Sequence, residues 1–311
     1  MVQNMTTCLY QTELGCVTVT WCRTLMGGQS LSFTVNPNPN GASNHEDDEE
    51  EEERASVSHR VQMKPWFFWK KKGSKKFYLL GRKARVFWDL SKAKFSSGPE
   101  PDRGFYLCLV SDRKSMALLV GDMRHEAYSR TRAQRPEIEA VLLSRREHVF
   151  GRRLYSARAK FGDGEPRGVT IEWEADDPGL CFRIDGKPVL KVRRLSWKFR
   201  GNDRFVVDGV PVQVFWDVHN WLFDPGYGHA VFMFQEERTG PSSASECAYP
   251  VPWPSGFGLN GPEKSLLKTG SFSSYSSSSS SACSSSVLEW ANTESDPNAN
   301  GFSLVVYAWR T

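Results

Sequence analysis

Apolar and polar residues alternate along much of this chain with a period of two. Val169, Ile171 and Trp173 interleave with Thr170, Glu172 and Glu174, and Leu180, Phe182 and Ile184 repeat the pattern after a short break. Successive side chains on a strand point to opposite faces, so this alternation predicts half-buried β-strands. Asp185-Gly186 and Asp208-Gly209 fall between such runs, where a tight hairpin needs residues that tolerate positive φ. Asp163-Gly164 marks a longer connection of the same kind. The closing run Phe302–Trp309, FSLVVYAW, reads as a strand that returns to complete the sheet. Helical periodicity is nearly absent; only Arg124–Arg135 reads as a short helix. Closely spaced strands with short turns form antiparallel meanders, which close into a barrel or fold into a sandwich.

The chain also repeats itself. At an offset of 128, Trp69, Lys70, Gly73, Phe77, Gly81, Val86, Phe87, Trp88, Asp89, Phe95 and Gly98 match Trp197, Lys198, Gly201, Phe205, Gly209, Val214, Phe215, Trp216, Asp217, Phe223 and Gly226. These are eleven identities in thirty ungapped positions, where ordinary composition gives about two. Val17–Trp21 (VTVTW) echoes Val169–Trp173 (VTIEW), and Leu31–Val35 (LSFTV) echoes Leu180–Ile184 (LCFRI). The expected fold is therefore all-β: an internally duplicated antiparallel meander forming one barrel-like or sandwich body. Its halves run from about 8 to 110 and from 153 to 235. The single domain comprises 1–35, 57–237 and 302–311, interrupted by two stretches read as disordered insertions. Residues 36–56 hold prolines and a carboxylate run, and 238–301 hold a Pro/Gly stretch and a tract with twelve serines between Ser271 and Ser286.

Charge changes the picture. The net charge of +4 averages over opposites, because Glu46–Glu53 is a run of eight carboxylates. Without those eight negative charges the rest of the chain stands at +12. A basic body carries one acidic tether. The seven cysteines are odd in number, widely spaced and free of any C-x-x-C pair, which suits reduced thiols in a reducing compartment. The N-terminal residues lack the basic and apolar regions of a signal peptide, and no apolar run approaches the length of a membrane span. The expected location is cytoplasmic or nuclear, with peripheral membrane association open.

Candidate chemistry is sparse. No nucleophile elbow, Walker loop, dinucleotide fingerprint or metal-binding histidine motif occurs, so the chain leans away from an enzyme and no cofactor or metal is expected. Asp89 and Asp217 each follow Phe-Trp in repeat-related positions. They suit a general acid and base, or, more plainly, caps on the turns that follow. His219 in WDVHNW and His148 in SRREHVF are candidate titrating groups near neutral pH, or ordinary loop partners. The stretch Lys64–Phe77 interleaves lysines with aromatics. Lys70, Lys71, Lys72, Lys75 and Lys76 with Trp66 and Trp69 form a candidate surface for an anionic membrane or, less favoured, a single-stranded nucleic acid. A second basic region, Arg124–Lys160, reads as a solvated face partly paired with Glu137, Glu139 and Glu147.

VTVTWC (Val17–Cys22), KKKGSKKF (Lys70–Phe77), the long run Val86–Val110, LLVGDM (Leu118–Met123), SRREHVFG (Ser144–Gly151), LSWKFRGN (Leu195–Asn202) and VFWDVHNWLFDP (Val214–Pro225) cover most of the chain outside the insertions. On them the chain resembles the plant family known as domain of unknown function 868. The resemblance implies a plant protein without an assigned biochemistry and supplies no catalytic residues. The expected function is a non-enzymatic binding or adaptor module whose basic surface meets an anionic partner: a protein, a phospholipid surface or a phosphorylated ligand. The alternatives are a small-molecule carrier with a barrel cavity and an unrecognised carbohydrate-active enzyme. The pattern leaves barrel against sandwich, and the oligomeric state, open.

Overall fold

A computed structural model describes residues 3–24, 28–37, 57–63, 71–79, 82–96, 98–174, 178–223, 228–237 and 301–310. The two stretches read as insertions lie outside the described residues, apart from Asn36, Pro37 and Gly301.

Seventeen strands are described, with two short helices. In the first half the strands are β1 (Gln3–Thr12), β2 (Gly15–Thr24), β3 (Gln29–Asn36), β4 (Val57–Met63), β5 (Lys72–Leu79), β6 (Arg82–Asp89), β7 (Tyr106–Val110) and β8 (Met116–Val120). Helix α1 (Arg124–Thr131) and strand β9 (Val141–Gly151) follow. Next come β10 (Leu154–Ala159), β11 (Arg167–Glu174), β12 (Gly179–Ile184), β13 (Lys187–Val192), β14 (Arg200–Val207) and β15 (Val210–Asp217). Helix α2 (His219–Phe223), β16 (His229–Glu236) and β17 (Ser303–Arg310) complete the order.

The alternation dictates the layers. Val17, Val19 and Trp21 of β2 with Leu31, Phe33 and Val35 of β3 turn one way, onto Phe77, Val86, Trp88 and Leu107 of the four-stranded sheet β5-β6-β7-β8. Ile171 and Trp173 of β11 with Phe182 of β12 belong to the four-stranded sheet β10-β11-β12-β13, and they meet Phe205, Trp216, Phe232 and Val306 from β14 to β17. One nine-stranded sheet, in the order β14-β15-β16-β17-β9-β1-β2-β3-β4, backs both cores. The body is a pair of sandwiches sharing a sheet, which decides between the two architectures left open by the pattern. In the first core, the void among Val17, Val19, Phe33, Leu107 and Leu118 is about 10 Å³, at the lower limit of the space one water needs. That core offers a carried molecule no chamber there.

Two features hold the junction. The returning strand β17 enters the interior of the long sheet, pairing antiparallel with β16 and parallel with β9, while β1 pairs with β9 on its other side. Strand β9 thus covers one edge from each half, edges that would otherwise expose unpaired backbone groups. The Asp185-Gly186 and Asp208-Gly209 turns have positive φ at both positions, as their residue types require. Helix α1 lies within the Arg124–Arg135 stretch and packs Ala127 over Phe87, Tyr106 and Cys108 on the outer face of the smaller first-half sheet. Helix α2 was not foreseen: it seats Trp221 in the second core, its indole N–H donating to the Ala308 carbonyl at 3.1 Å. Neither helix is long and apolar enough to cross a membrane. Among the described cysteines, Cys8, Cys108 and Cys181 are free thiols.

Candidate functional site

Asp89 and Asp217 end β6 and β15, and their surroundings correspond contact by contact. Asp89 Oδ1 accepts the Ser91 amide at 3.0 Å, and Asp217 Oδ1 accepts the His219 amide at 3.0 Å. The other oxygen of each takes a cation from the neighbouring strand, Lys72 Nζ at 2.8 Å and Arg200 Nε at 2.8 Å. The Leu90 amide donates to the Lys71 carbonyl, and the Val218 amide to the Phe199 carbonyl. Under each carboxylate an indole lies flat against a glycine: a Cβ on Gly73 would stand 2.5 Å from Trp88 Cζ2, and one on Gly201 2.5 Å from Trp216 Cζ2. Burial pushes the Asp89 carboxyl up, but the Lys72 and Ser91 hydrogen bonds outweigh it and hold the group below its ordinary value. An ionised carboxylate that closes a turn and pairs across a hairpin has little capacity left for proton transfer. Asp89 stands on the four-stranded sheet of the first half and Asp217 on the nine-stranded sheet, and each is engaged by its own turn and cation.

The two candidate histidines are also apart in kind. The His219 ring packs edge-on to Phe199, centroids 5.5 Å apart, and tilted at 4.9 Å against Phe223. His148 stands on β9 and stacks on Tyr307 at 4.8 Å and on Trp309 at 5.3 Å. His229 approaches the same Trp309 at 4.8 Å, and Phe150 stacks on it at 5.1 Å. Burial first, then the neighbouring His229 and Arg146 charges, lower the His148 pKa to about 4. Burial lowers His229 too, against the pull of Asp217. This aromatic cluster escaped the sequence reading. Its signal was present as two outward alternations, Arg146-His148-Phe150 and Val305-Tyr307-Trp309, on strands that pair in parallel register. Among the described residues no group of three His, Cys, Asp or Glu side chains is placed to hold a metal ion.

Part of the Arg124–Lys160 region is not a solvated face. Arg145 stands on β9, between β17 and β1, with 14% of its side chain exposed, and pairs with Glu100 at 2.6 Å and Glu147 at 2.7 Å. Thr6 Oγ1 donates to the far oxygen of Glu147. Cys8 lies against the same guanidinium; burial pushes its thiol up to about 12, which leaves no thiolate for nucleophilic chemistry. The strand alternation of β9 turns Arg145 and Glu147 inward, and the ion pairs compensate their loss of water.

Of the lysine-aromatic candidates, Trp66, Trp69 and Lys70 lie outside the described residues. Lys71, Lys72, Lys75 and Lys76 are exposed at the start and along the edge strand β5. Alternation puts Lys72, Ser74, Lys76 and Tyr78 on the outer face, opposite Asp89, Phe87, Arg85 and Lys83 of β6. Tyr78 is 66% exposed. That face carries four cations and one carboxylate, Asp89, already taken by Lys72. The corresponding face of β14–β15 differs. There Arg200 pairs with Asp217, and Arg204 pairs with Glu237 at 2.6 Å.

Residues 1–310 match a family model described as plant protein of unknown function (DUF868). No curated protein and no solved structure gives a significant match. Since the matched region takes in all but the last residue, the chain belongs to this plant protein family of unknown function, DUF868.

Proposed function

We propose that the chain is a non-enzymatic binding module made from two copies of one β-sandwich unit. The first copy presents the outer β5–β6 face to an anionic partner. The observation that carries this reading is the contrast between matched faces. Lys76, Lys83 and Arg85 sit on the first face with no carboxylate paired to them among the described residues. The two arginines at the equivalent β14 positions are neutralised by Asp217 and Glu237. Cations held close together without counter-charges repel one another, and an arriving anionic group relieves that repulsion. The carboxylate run Glu46–Glu53 is a candidate competitor for the same face, carried on the same chain.

The test is retention of the full chain on immobilised heparin over a salt gradient. Lys76→Glu/Lys83→Glu should elute at much lower salt than the unaltered protein, because exposed charges act within a Debye length of about 10 Å. Arg152→Glu/Arg153→Glu removes the same charge from exposed positions between β9 and β10 and should elute close to the unaltered protein. Removal of residues 46–53 should raise retention. Equal losses from the two double variants would reduce the effect to net charge and overturn the assignment of the face.

A further inference from the structure

The connection from β13 to β14 carries exposed chemistry of its own. Trp197 is 87% exposed, an extreme value for a residue type that is highly buried on average. It stands out because the chain on both sides is fixed. Leu195 is buried in the second core, and its amide donates to the Pro178 carbonyl at 3.1 Å. Arg194 takes positive φ (58°), and its carbonyl accepts the Trp197 and Lys198 amides at 3.0 and 3.1 Å. Beyond the turn, the Lys198 carbonyl accepts the Trp216 indole N–H at 2.9 Å. The turn is therefore anchored before and after Trp197, and the indole projects from it. Phe223 on α2 is 57% exposed and packs edge-on, at 5.6 Å, to Phe199, two residues beyond Trp197 in the chain.

Three cations surround this ring in sequence. Arg193, Arg194 and Lys198 are all exposed, and no carboxylate pairs with them among the described residues. Arg200, the fourth, is engaged by Asp217. A projecting indole suits the headgroup layer of a bilayer, where one end of the ring is apolar and the other is wet. Flanking arginines and a lysine suit an anionic leaflet. Single-stranded nucleic acid needs successive rings along a basic groove, and this turn is convex with one ring at its tip.

We infer that the Arg193–Arg200 turn, with Trp197 at its tip and Phe223 packed on its Phe199, is an insertion element for anionic phospholipid surfaces. The inference rests on the reading that the chain binds anionic partners, and names one such partner and a second point of attachment. One weak signal gives only marginal membrane binding, and stable anchoring takes two.

The experiment is cosedimentation of the full chain with vesicles of phosphatidylcholine alone and with about one third phosphatidylserine. Binding is expected for the anionic vesicles only, and should weaken with added salt. Trp197→Ala should lower the partition coefficient about tenfold, and Arg193→Gln, Arg194→Gln and Lys198→Gln about fivefold each. Thermal melts of these variants should match the unaltered protein, since every altered side chain is exposed. Absent vesicle binding with retained heparin binding would overturn this inference and leave the basic-face reading standing; loss of both would defeat both. Vesicle binding indifferent to Trp197→Ala would overturn it as well, as would Trp197-dependent binding to a single-stranded oligonucleotide without any to vesicles.

Discussion

Replacing Arg145 with methionine isolates the ion cluster centred on β9. The Glu147 side chain is only 6% exposed and is held by the Arg145 guanidinium and the Thr6 hydroxyl. Removing the guanidinium leaves a buried carboxylate with one neutral donor, a loss in the range of about 3–5 kcal/mol for broken buried pairs. Glu100, with a fifth of its side chain exposed, regains water and adds little, so the lower end of that range applies. Unfolding in urea, followed by tryptophan fluorescence, should show a midpoint shift equivalent to about 3 kcal/mol without a change in slope. Arg145→Met/Glu147→Leu removes the stranded charge and leaves only the Thr6 hydroxyl to satisfy, so it should cost about 1–2 kcal/mol. The penalty in the single variant should also depend on pH. Burial already holds the Glu147 carboxyl above its unfolded value of about 4.3 despite Arg145 and Thr6, and removing Arg145 raises it further. Its protonated form is then the stable one, so the loss relative to unaltered protein is smallest below that value and grows as pH rises through the folded-state pKa. A single variant that loses under about 1 kcal/mol, or a double variant as damaged as the single, would refute the claim that this cluster is a desolvated ionic junction.

Two further predictions concern stability. His148 has a folded-state pKa of about 4, below an unfolded value of about 6.5, so the neutral ring's contribution is complete above the unfolded value and is lost as pH falls toward 4. The fall amounts to about 3 kcal/mol over that interval, and His148→Phe should flatten the stability profile recorded by urea titration at successive pH values. Gly73→Ala and Gly201→Ala each force a methyl to within 2.5 Å of an indole carbon; each should cost about 1–3 kcal/mol, and near-equal losses in thermal melts are expected if the two hairpins are copies.

The strand content was legible because alternation carries the strand's period of two and Asp-Gly turns mark where the strands reverse. Val169, Ile171 and Trp173 are buried on one face as that period requires, and Arg124–Thr131 forms the helix within the stretch that read as one. What the pattern could not convey is which sheet a strand joins. Nothing local in Phe302–Trp309 says that it enters between β16 and β9 instead of capping an edge, because pairing depends on residues more than 60 positions away. Arg145 misled for a related reason. A charged residue in a basic region reads as solvated unless its partners are known, and Glu100 lies 45 residues earlier in a loop. The candidate site was legible to a similar degree: the lysines of β5 stand out by composition, whereas nothing local in the sequence distinguishes the exposed Trp197 from the buried Trp216.

The internal comparison also separates structure from function where no outside comparison can. On the reading that the halves are copies, residues common to both have been kept through the same physical task. Each glycine makes room for an indole, each aspartate closes a turn, and Lys72 and Arg200 pair with those aspartates across equivalent registers. A catalytic carboxylate pair works from one shared site, whereas these two stand on different sheets, each engaged by its own turn and its own cation. The differences lie elsewhere: Lys83 and Arg85 face Tyr78 and Lys76 in the first copy, where Pro211 and Gln213 face Val206 and Arg204 in the second. Substitutions of that sort cost the sandwich little, since they lie on outward positions of paired strands, yet they change what each copy attracts. Selection for a hairpin explains the shared set, and the proposed function assigns the uncompensated cations of the β5–β6 face, Lys76, Lys83 and Arg85, to a partner outside the fold.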